Sequence, residues 1–390
     1  MDNDEFIVFG APQIEQTEID EVVATLKSGW LGTGPKVARF ENDFARYKSL
    51  ETPQVAAVNS CTAALHLSLL ASGVGPGDEV IAPAMTFCAT INAIIHSGAT
   101  PVLADVDYST MNLDPADVER RITSRTRALL PVHFAGRPCD MDALMDIAKR
   151  HNLKVIEDFA HAIETEYHGM KAGTFGDFGC FSFYVTKNIV TGEGGMVIAN
   201  NKDDINRIKV LALHGMTKDA WYRYGDEGYK HYQVTEAGFK YNMMDIQASL
   251  GLHQLARVEE NLIKREKIWE QYQEAFSNLP VTTPKEPESN TRHGRHLYTL
   301  LIDEEEIGMS RDQFLSEMTK KDIGVGVHYQ SIASHPYYRD TYNFDINDYP
   351  NSKLIGEQTV SLPFSPHLTS NEISRIIQAV EETVKETVLC

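Results

Sequence analysis

Long apolar runs are missing from this 390-residue chain, and no stretch approaches the roughly 20 residues a helix needs to cross a bilayer. Cysteine is scarce. Cys61, Cys88, Cys139, Cys180 and Cys390 are scattered, odd in number and without a CxxC pair, which suits reduced thiols and points away from disulfides or a zinc site. The opening MDNDEFIVFG has neither a basic leader segment nor a continuous apolar one, so a cytoplasmic protein is expected. Positive charge is also in deficit: 36 Lys and Arg against 55 Asp and Glu leave a net −19. Such a field opposes nucleic acid and anionic membranes, so a phosphate-bearing ligand must be gripped locally by amides, hydroxyls or a few aimed cations. Two nucleotide fingerprints are absent as well. GTGPK lacks the Walker spacing and its Ser or Thr, and no GxGxxG follows a strand.

The rest of the composition, 42% hydrophobic and 23% charged, is ordinary for a globular protein. Length favours a large domain plus a smaller one, drawn here as 1–250 and 251–390. Between about 50 and 200, strand patterns alternate with helical ones: QVAAV then 62–72, EVIAPA then 87–97, ATPVLADV, ALLPVHF, and the amphipathic MDALMDIAKRHN with Met141, Leu144, Ile147 and Ala148 on one face. This is an α/β pattern with a mostly parallel sheet. KVIED, ending at Asp158, and FGCFSFYV, ending just before Lys187, are almost wholly apolar. Such strands belong at the centre of a covered sheet, whose carboxyl edge receives ligands. One long helix is expected over 245–276, and PKEPESNTRHGRH (284–296) reads as a polar surface connection. Beyond the long helix, HLYTLLI, VGVHY and TVSLPF read as strands and RDQFLSEMTKK as a helix, a smaller α+β unit. Its last helix opens on a Thr369-to-Glu372 capping box, with Ile373, Ile376, Ile377, Val380 and Val384 in one stripe.

Lys187 follows an apolar strand and precedes Gly192, Gly194 and Gly195, which permit an irregular return. Partial desolvation there would lower its pKa and suit it to Schiff-base chemistry; alone it reads as a solvated loop lysine, since lysines are seldom buried. Asp158 ends an apolar strand, where an unpaired charge is costly, so a cationic partner is expected. A protonated pyridine nitrogen is one such partner, an arginine another, and helix capping a third use. His161, three residues on, could reach a phenolic oxygen or be structural. In NSCTAALHLSLL, Ser60, Thr62 and Ala63 place small residues and free amides at a helix start, which grips a dianion without net positive charge, although an ordinary capped helix has the same look. Ser182 could add a hydroxyl, and Phe87 could stack on a ring or belong to the core. In chain order these are the requirements of pyridoxal 5′-phosphate.

Together SGWLGTGPKVARFE (28–41), the 59–87 segment from NSCTAALHL to APAMTF, VIEDFAHA (155–162), GTFGDFGCFSFYVTKNIVTGEGGMV (173–197) and FKYNMMDIQASLGLHQL (239–255) resemble the DegT/DnrJ/EryC1/StrS sugar aminotransferases. The resemblance spans nearly the whole chain, and the 173–197 block is highly specific. It implies a fold-type I pyridoxal-phosphate transferase: a large mostly parallel-sheet domain and a smaller C-terminal α+β domain. It further implies Lys187 as the lysine holding the cofactor as an internal aldimine, Asp158 on the pyridine nitrogen and His161 near the phenolic oxygen. Ser60, Ser182, Thr62 and the Ala63 backbone would hold the phosphate, with Phe87 stacked on the ring. A homodimer follows, with Asn242 reaching the phosphate of the other subunit. LHGMTKDAW (213–221) and VGVHYQ (325–330) look closest to enzymes that aminate the 4-keto group of UDP-linked pentoses, which suggests Trp221, His328 and Tyr329 near the sugar, with L-glutamate as amino donor. One departure is Val185, where the family pattern often has proline, histidine or alanine. Lys218, Arg223, Arg292 and Arg295 are candidate cations for a nucleotide diphosphate. Two rivals remain: a sugar dehydratase on the same scaffold, against which Lys187 argues because that branch replaces the lysine by histidine, and a cofactor-free binding or regulatory protein.

Overall fold

The computed structural model describes residues 5–50, 54–217 and 232–388. The strands are β1 (Val55–Val58), β2 (Glu79–Pro83), β3 (Thr100–Ala104), β4 (Thr126–Leu129), β5 (Lys154–Asp158), β6 (Glu166–Tyr167), β7 (Met170–Lys171), β8 (Phe178–Ser182), β9 (Gly195–Ala199), β10 (Thr291–Arg292), β11 (Tyr298–Leu301) and β12 (Thr359–Leu362). Helices α1 (Gln16–Ser28), α2 (Pro35–Tyr47), α3 (Cys61–Ala71), α4 (Cys88–His96), α5 (Pro115–Arg121), α6 (Met141–His151) and α7 (Lys202–Leu211) belong to the first half. Then follow α8 (Asp245–Ala256), α9 (Val258–Phe276), α10 (Glu304–Ile307), α11 (Arg311–Lys320), α12 (Pro336–Tyr342), α13 (Pro350–Gln358) and α14 (Ser370–Val388).

Seven strands make the central sheet in the order β1-β9-β8-β5-β4-β2-β3. β9 runs antiparallel to both its neighbours, and the other pairings are parallel. Every residue of β2 and β9 is buried, as expected of apolar strands covered on both faces. α3 is apolar nearly all round and packs against β8, β9, α4 and α7; burial on every side is the only stable place for such a helix. Because the parallel strands share a direction, the ends of β1, β2, β4, β5 and β8 meet at one edge.

A second core joins Trp269, Tyr272 and Phe276 of α9 to β11, β12, Phe314 and Met318 of α11, and Ile373, Ile376, Val380 and Val384 of α14. Fully burying one such aliphatic or Phe side chain stabilises by about 1.5–3 kcal/mol. The capping box at the start of α14 forms, with Glu372 N donating to Thr369 Oγ1 at 3.2 Å and Thr369 N donating to Glu372 at 2.7 Å. Residues from both ends of the chain cross over: Ile7 lies in the second core, while Ile332, Ala333, Tyr338 and Tyr349 pack into the first.

Four local expectations give way to tertiary contacts. The helix expected over 245–276 is two, α8 and α9, because Arg257 leaves helical geometry (φ −110°, ψ 8°). Its guanidinium is held by an ion pair with Glu18 and a 3.2 Å bond to Gln13 O, both from the N-terminal segment. β8 stops at Ser182 and not beside Lys187, since Phe183 already turns back, accepting from Thr191 N at 2.9 Å. VGVHY forms no strand; it makes a single bridge, Gly326 to Ser361. The 284–296 segment is no mere surface connection: β10 pairs with β6, and His293 and His296 are buried.

α9 is tied to the segment after β5 by a buried ion pair, Arg265 with Glu164. Glu164 also accepts from Asn188 Nδ2 at 2.8 Å. Glu164→Gln keeps the shape and strands the guanidinium, so a loss of about 3–5 kcal/mol is expected. Urea denaturation of the two proteins measures it.

Candidate active site

The carboxyl edge of the sheet opens on a cavity of about 590 Å³. Ser60, Thr62, Phe87, Asp158, His161, Ser182, Lys187, His328 and Tyr329 all line it. Residues from four loops and the far C-terminal part thus converge on one space, although 269 positions of sequence separate Ser60 from Tyr329.

α3 begins one residue earlier than the 62–72 pattern suggested. Ser60 is its N-cap, and its Oγ accepts from Ala63 N at 3.1 Å. The Ala63 amide is therefore engaged within the cap, and the first-turn amides before it are those that a helix leaves without intrahelical partners. Thr62 is exposed to the cavity. The β9 backbone passes close by: a Cβ on Gly195 would lie 2.5 Å from the Ser60 carbonyl carbon, so glycine is required there. Gly192 adopts φ +80° and supplies the turn ahead of it. Ser182 sits at the end of β8, half-buried. Phe87 N-caps α4 and is 56% exposed; the core alternative is ruled out for this ring, which stands in the cavity 5.9 Å from Tyr329.

Asp158, only 4% exposed, accepts from Ala160 N at 3.0 Å and from Thr90 Oγ1 at 3.0 Å, with Cys61 Sγ 3.8 Å away. Burial raises its pKa, partly offset by the Ala160 amide, Thr90 and the Lys187 charge. No lysine or arginine pairs with it among the described residues. Lys187 is half-buried at the cavity wall, and burial pushes its amine down to about 8 against the opposing pull of Asp158 and Cys61. His161 has both ring nitrogens engaged. Ala135 N donates to Nδ1 at 3.3 Å, and Nε2 meets Tyr329 Oη at 3.1 Å. Burial, with Lys187, His296 and His328 nearby, drives its pKa well down. As the chain stands, His161 has no free nitrogen for a phenolic oxygen, and Tyr329 is the group it presents to the cavity.

A buried carboxylate without a basic partner, a desolvated lysine, an open helix start and an exposed aromatic face fit a phosphorylated pyridine aldehyde. The pieces not anticipated from sequence are Thr90, bonded in turn to Thr86 at 2.9 Å, Cys61, and Phe9, whose ring lies 5.4 Å from His328. The i, i+4 spacing of Thr86 and Thr90 was a visible signal; nothing in the sequence marked Phe9.

Other expected residues lie elsewhere. Asn242 does not line the cavity; its Nδ2 donates to Thr33 Oγ1 at 2.6 Å and its Oδ1 is buried without a partner among the described residues. Arg292 pairs with Glu259 at 2.6 Å, and Arg295 stacks 3.9 Å over Trp269, so both are spent on structure, and neither lines this cavity. Trp221, Lys218 and Arg223 fall outside the described residues.

The sheet and its edge cavity define an α/β enzyme built around a bound cofactor. The chain belongs to the DegT/DnrJ/EryC1/StrS aminotransferase family, whose model matches residues 12–381. It is 45% identical to the spore coat polysaccharide biosynthesis protein SpsC of Bacillus subtilis (strain 168) over 381 residues, 97% of each chain. Among solved structures it resembles the putative sugar aminotransferase Spr1654 of Streptococcus pneumoniae in its PMP form, with 33% identity, TM-score 0.90 and coverage of 98% and 99%. It also resembles S. venezuelae DesV in complex with a ketimine intermediate, with 32% identity, TM-score 0.85 and 94% of each chain covered. The protein is therefore a pyridoxal-phosphate-dependent sugar aminotransferase of fold type I. No described helix is long and apolar enough to cross a membrane.

Proposed function

We propose that the enzyme moves an amino group from L-glutamate to the keto group, at C4, of a nucleotide-linked sugar, with UDP as the nucleotide, in the cytoplasm. The observation that carries the residue assignment is the convergence of Lys187, Asp158, the α3 start and Phe87 on one cavity. In this reading residues 1–250 bind the cofactor and 251–390 close over the substrate with His328 and Tyr329. Ser60, Thr62, Ser182 and the α3 amides ahead of Ala63 would hold the phosphate, Phe87 would cover a ring face, and Asp158 would accept a hydrogen bond from the ring nitrogen. When bound, pyridoxal phosphate supplies a carbonyl that links to amines and a ring that takes up the electron pair released at the substrate carbon.

Lys187 carries the cofactor and moves the proton at the reacting carbon. Its depressed pKa leaves a usable fraction of neutral amine near neutral pH. Capture of added pyridoxal phosphate by cofactor-free protein should accelerate by about tenfold per pH unit on approaching pH 8 and level off above it; stopped-flow absorbance reads the profile.

Tyr329 holds a proton. Because the Ala135 amide occupies Nδ1, the neutral His161 ring carries its hydrogen on Nε2 and donates to Tyr329 Oη. The phenol, kept protonated by burial, then donates its own hydrogen onward to a ligand oxygen. Tyr329→Phe is expected to lower kcat/KM by about 10- to 100-fold, the worth of one hydrogen bond to a charged group.

Dimerisation belongs to the same reading, with Asn242 serving the partner's site. It is supported by Ile19, Val23 and Leu26 of α1 with Trp30 and Leu31, which are all exposed; apolar patches of that kind mark contact surfaces. The substrate is tested by incubating the pyridoxamine form with UDP-, dTDP- and GDP-linked keto sugars and following the return of the pyridoxal spectrum. Return with simple α-keto acids and with no keto sugar would defeat the proposal.

A further inference from the structure

Among the described residues, the Asp158 carboxylate receives hydrogen bonds from neutral donors alone. Its Oδ1 accepts from Ala160 N in the turn after β5, and its Oδ2 accepts from Thr90 Oγ1 of α4. Cys61 Sγ, 3.8 Å from Oδ1, adds a weak third. The backbone is held separately, by Asp158 N donating to Pro131 O at 2.9 Å and His133 N donating to Asp158 O at 3.1 Å. The direction of Oδ2 therefore depends on Thr90. The ionisable groups that face the carboxylate are Cys61, His133, Cys180, Lys187 and Tyr329.

Thr90 and Thr86 are 1% and 2% exposed, and their hydroxyl oxygens lie 2.9 Å apart. Hydrogen counting fixes the direction of that contact. An ionised carboxylate only accepts, so Thr90 directs its single hydrogen to Asp158 and must accept from Thr86. A hydroxyl that accepts one hydrogen bond is polarised and donates the next more strongly. Thr86 stands just before the α4 N-cap, Phe87, and Thr90 lies in the first turn after it. One short segment thus carries both the ring assigned to the cofactor face and the hydroxyl that aims Asp158.

We propose that the Thr86–Thr90 hydroxyl pair positions Asp158 and holds it ionised, so that the proton shared with the cofactor's ring nitrogen stays on the ring. Both threonines are positioning residues, and the inference rests on Asp158 meeting that nitrogen. Two bases sharing one buried proton compete for it. Hydrogen bonds to the charged form loosen a carboxylate's hold on a proton, and burial tightens it. At Asp158 burial is the larger influence, opposed first by the Ala160 amide and then by Thr90. Without the Thr90 hydroxyl the carboxyl would draw the proton to itself and leave the ring nitrogen neutral, which weakens the ring's pull on the electron pair at the substrate carbon.

Thr90→Val removes the hydroxyl and keeps the shape, and Thr90→Ser keeps the hydroxyl. In the cofactor-free chain, infrared difference spectra against Asp158→Asn follow the carbonyl stretch of the protonated carboxyl as pH is varied. The midpoint should rise by about one to two pH units in Thr90→Val, as expected for loss of one hydrogen bond to a charged group, and stay near the wild-type value in Thr90→Ser. NMR of the holoenzyme, loaded with pyridoxal phosphate isotopically labelled at the ring nitrogen, gives the second reading. The wild-type resonance should lie at the protonated position and move toward the neutral one in Thr90→Val. Thr86→Val should shift both readings in the same direction by less. An unmoved midpoint or an unmoved resonance in Thr90→Val, or a Thr90→Ser protein that behaves like Thr90→Val, overturns the inference. A wild-type resonance that does not respond to Asp158→Asn overturns the underlying reading of Asp158 as well. Should Thr90→Val not fold, Thr86→Val decides by the same criteria.

Discussion

Lys187→Arg is expected to abolish turnover, with kcat down by at least about 10³-fold, equivalent to ~4 kcal/mol. Arginine keeps the charge, the length and the desolvated setting, but its guanidinium stays protonated at every accessible pH. It can neither form the covalent link to the cofactor nor take a proton from the reacting carbon. The same substitution separates chemistry from fold. Borohydride should fix pyridoxal phosphate to the wild-type chain and not to the variant, while urea unfolding midpoints stay close. Near-normal turnover by the arginine variant would remove Lys187 from the centre of the mechanism.

Asp158→Asn is the second large effect. The carboxylate is buried at the end of β5, with an amide, a hydroxyl and a thiol around it and no basic side chain paired to it among the described residues. With the cofactor's ring nitrogen as its missing partner, removing the negative charge forfeits a buried charge-assisted bond of about 3–5 kcal/mol. The expected fall in kcat is about 10²- to 10⁴-fold. The sign in the cofactor-free protein is opposite. There Asp158 is a buried carboxylate with a raised pKa, so the folded chain holds its proton to higher pH than the unfolded chain does. Its contribution is fully present at low pH and falls away as pH rises through the raised folded-state value. Cofactor-free Asp158→Asn should therefore be no less stable than wild type at neutral pH and should gain in relative stability as pH climbs from acid. A variant stable and fully active would sink the assignment.

The legible part of the site was local. Asp158 could be placed because five residues, KVIED, spell a covered strand and its end, and the strand is there. The α3 start could be placed because QVAAV and NSCTAALHL join a strand to a helix through a small polar residue. Phe87 was ambiguous, since an aromatic at a helix start is more often core; its exposure beside Tyr329 in the open cavity sets the core reading aside. His161 was legible as a polar residue at the right edge and illegible in its bonds, because Ala135 and Tyr329 are distant in sequence and fix its tautomer only when folded.

What the sequence by itself determined is the alternating α/β order, the covered strands, the α14 capping box and the order of the chemical residues along the chain. These depend on periodicities and caps within a few residues of each other, which sequence displays directly. Tertiary structure alone decided that the helix breaks at Arg257, that β8 ends five residues before Lys187, and that His293 and His296 are buried. The helix break and the burial of His296 rest on partners far away in the chain, Glu18 for Arg257 and Asn188 for His296, while the turn that ends β8 closes over eight residues, from Phe183 to Thr191. A hydrogen bond or ion pair formed across such distances leaves no periodic trace, and it overrides local preference because an unpaired buried group costs more than the helix turn or strand residue given up.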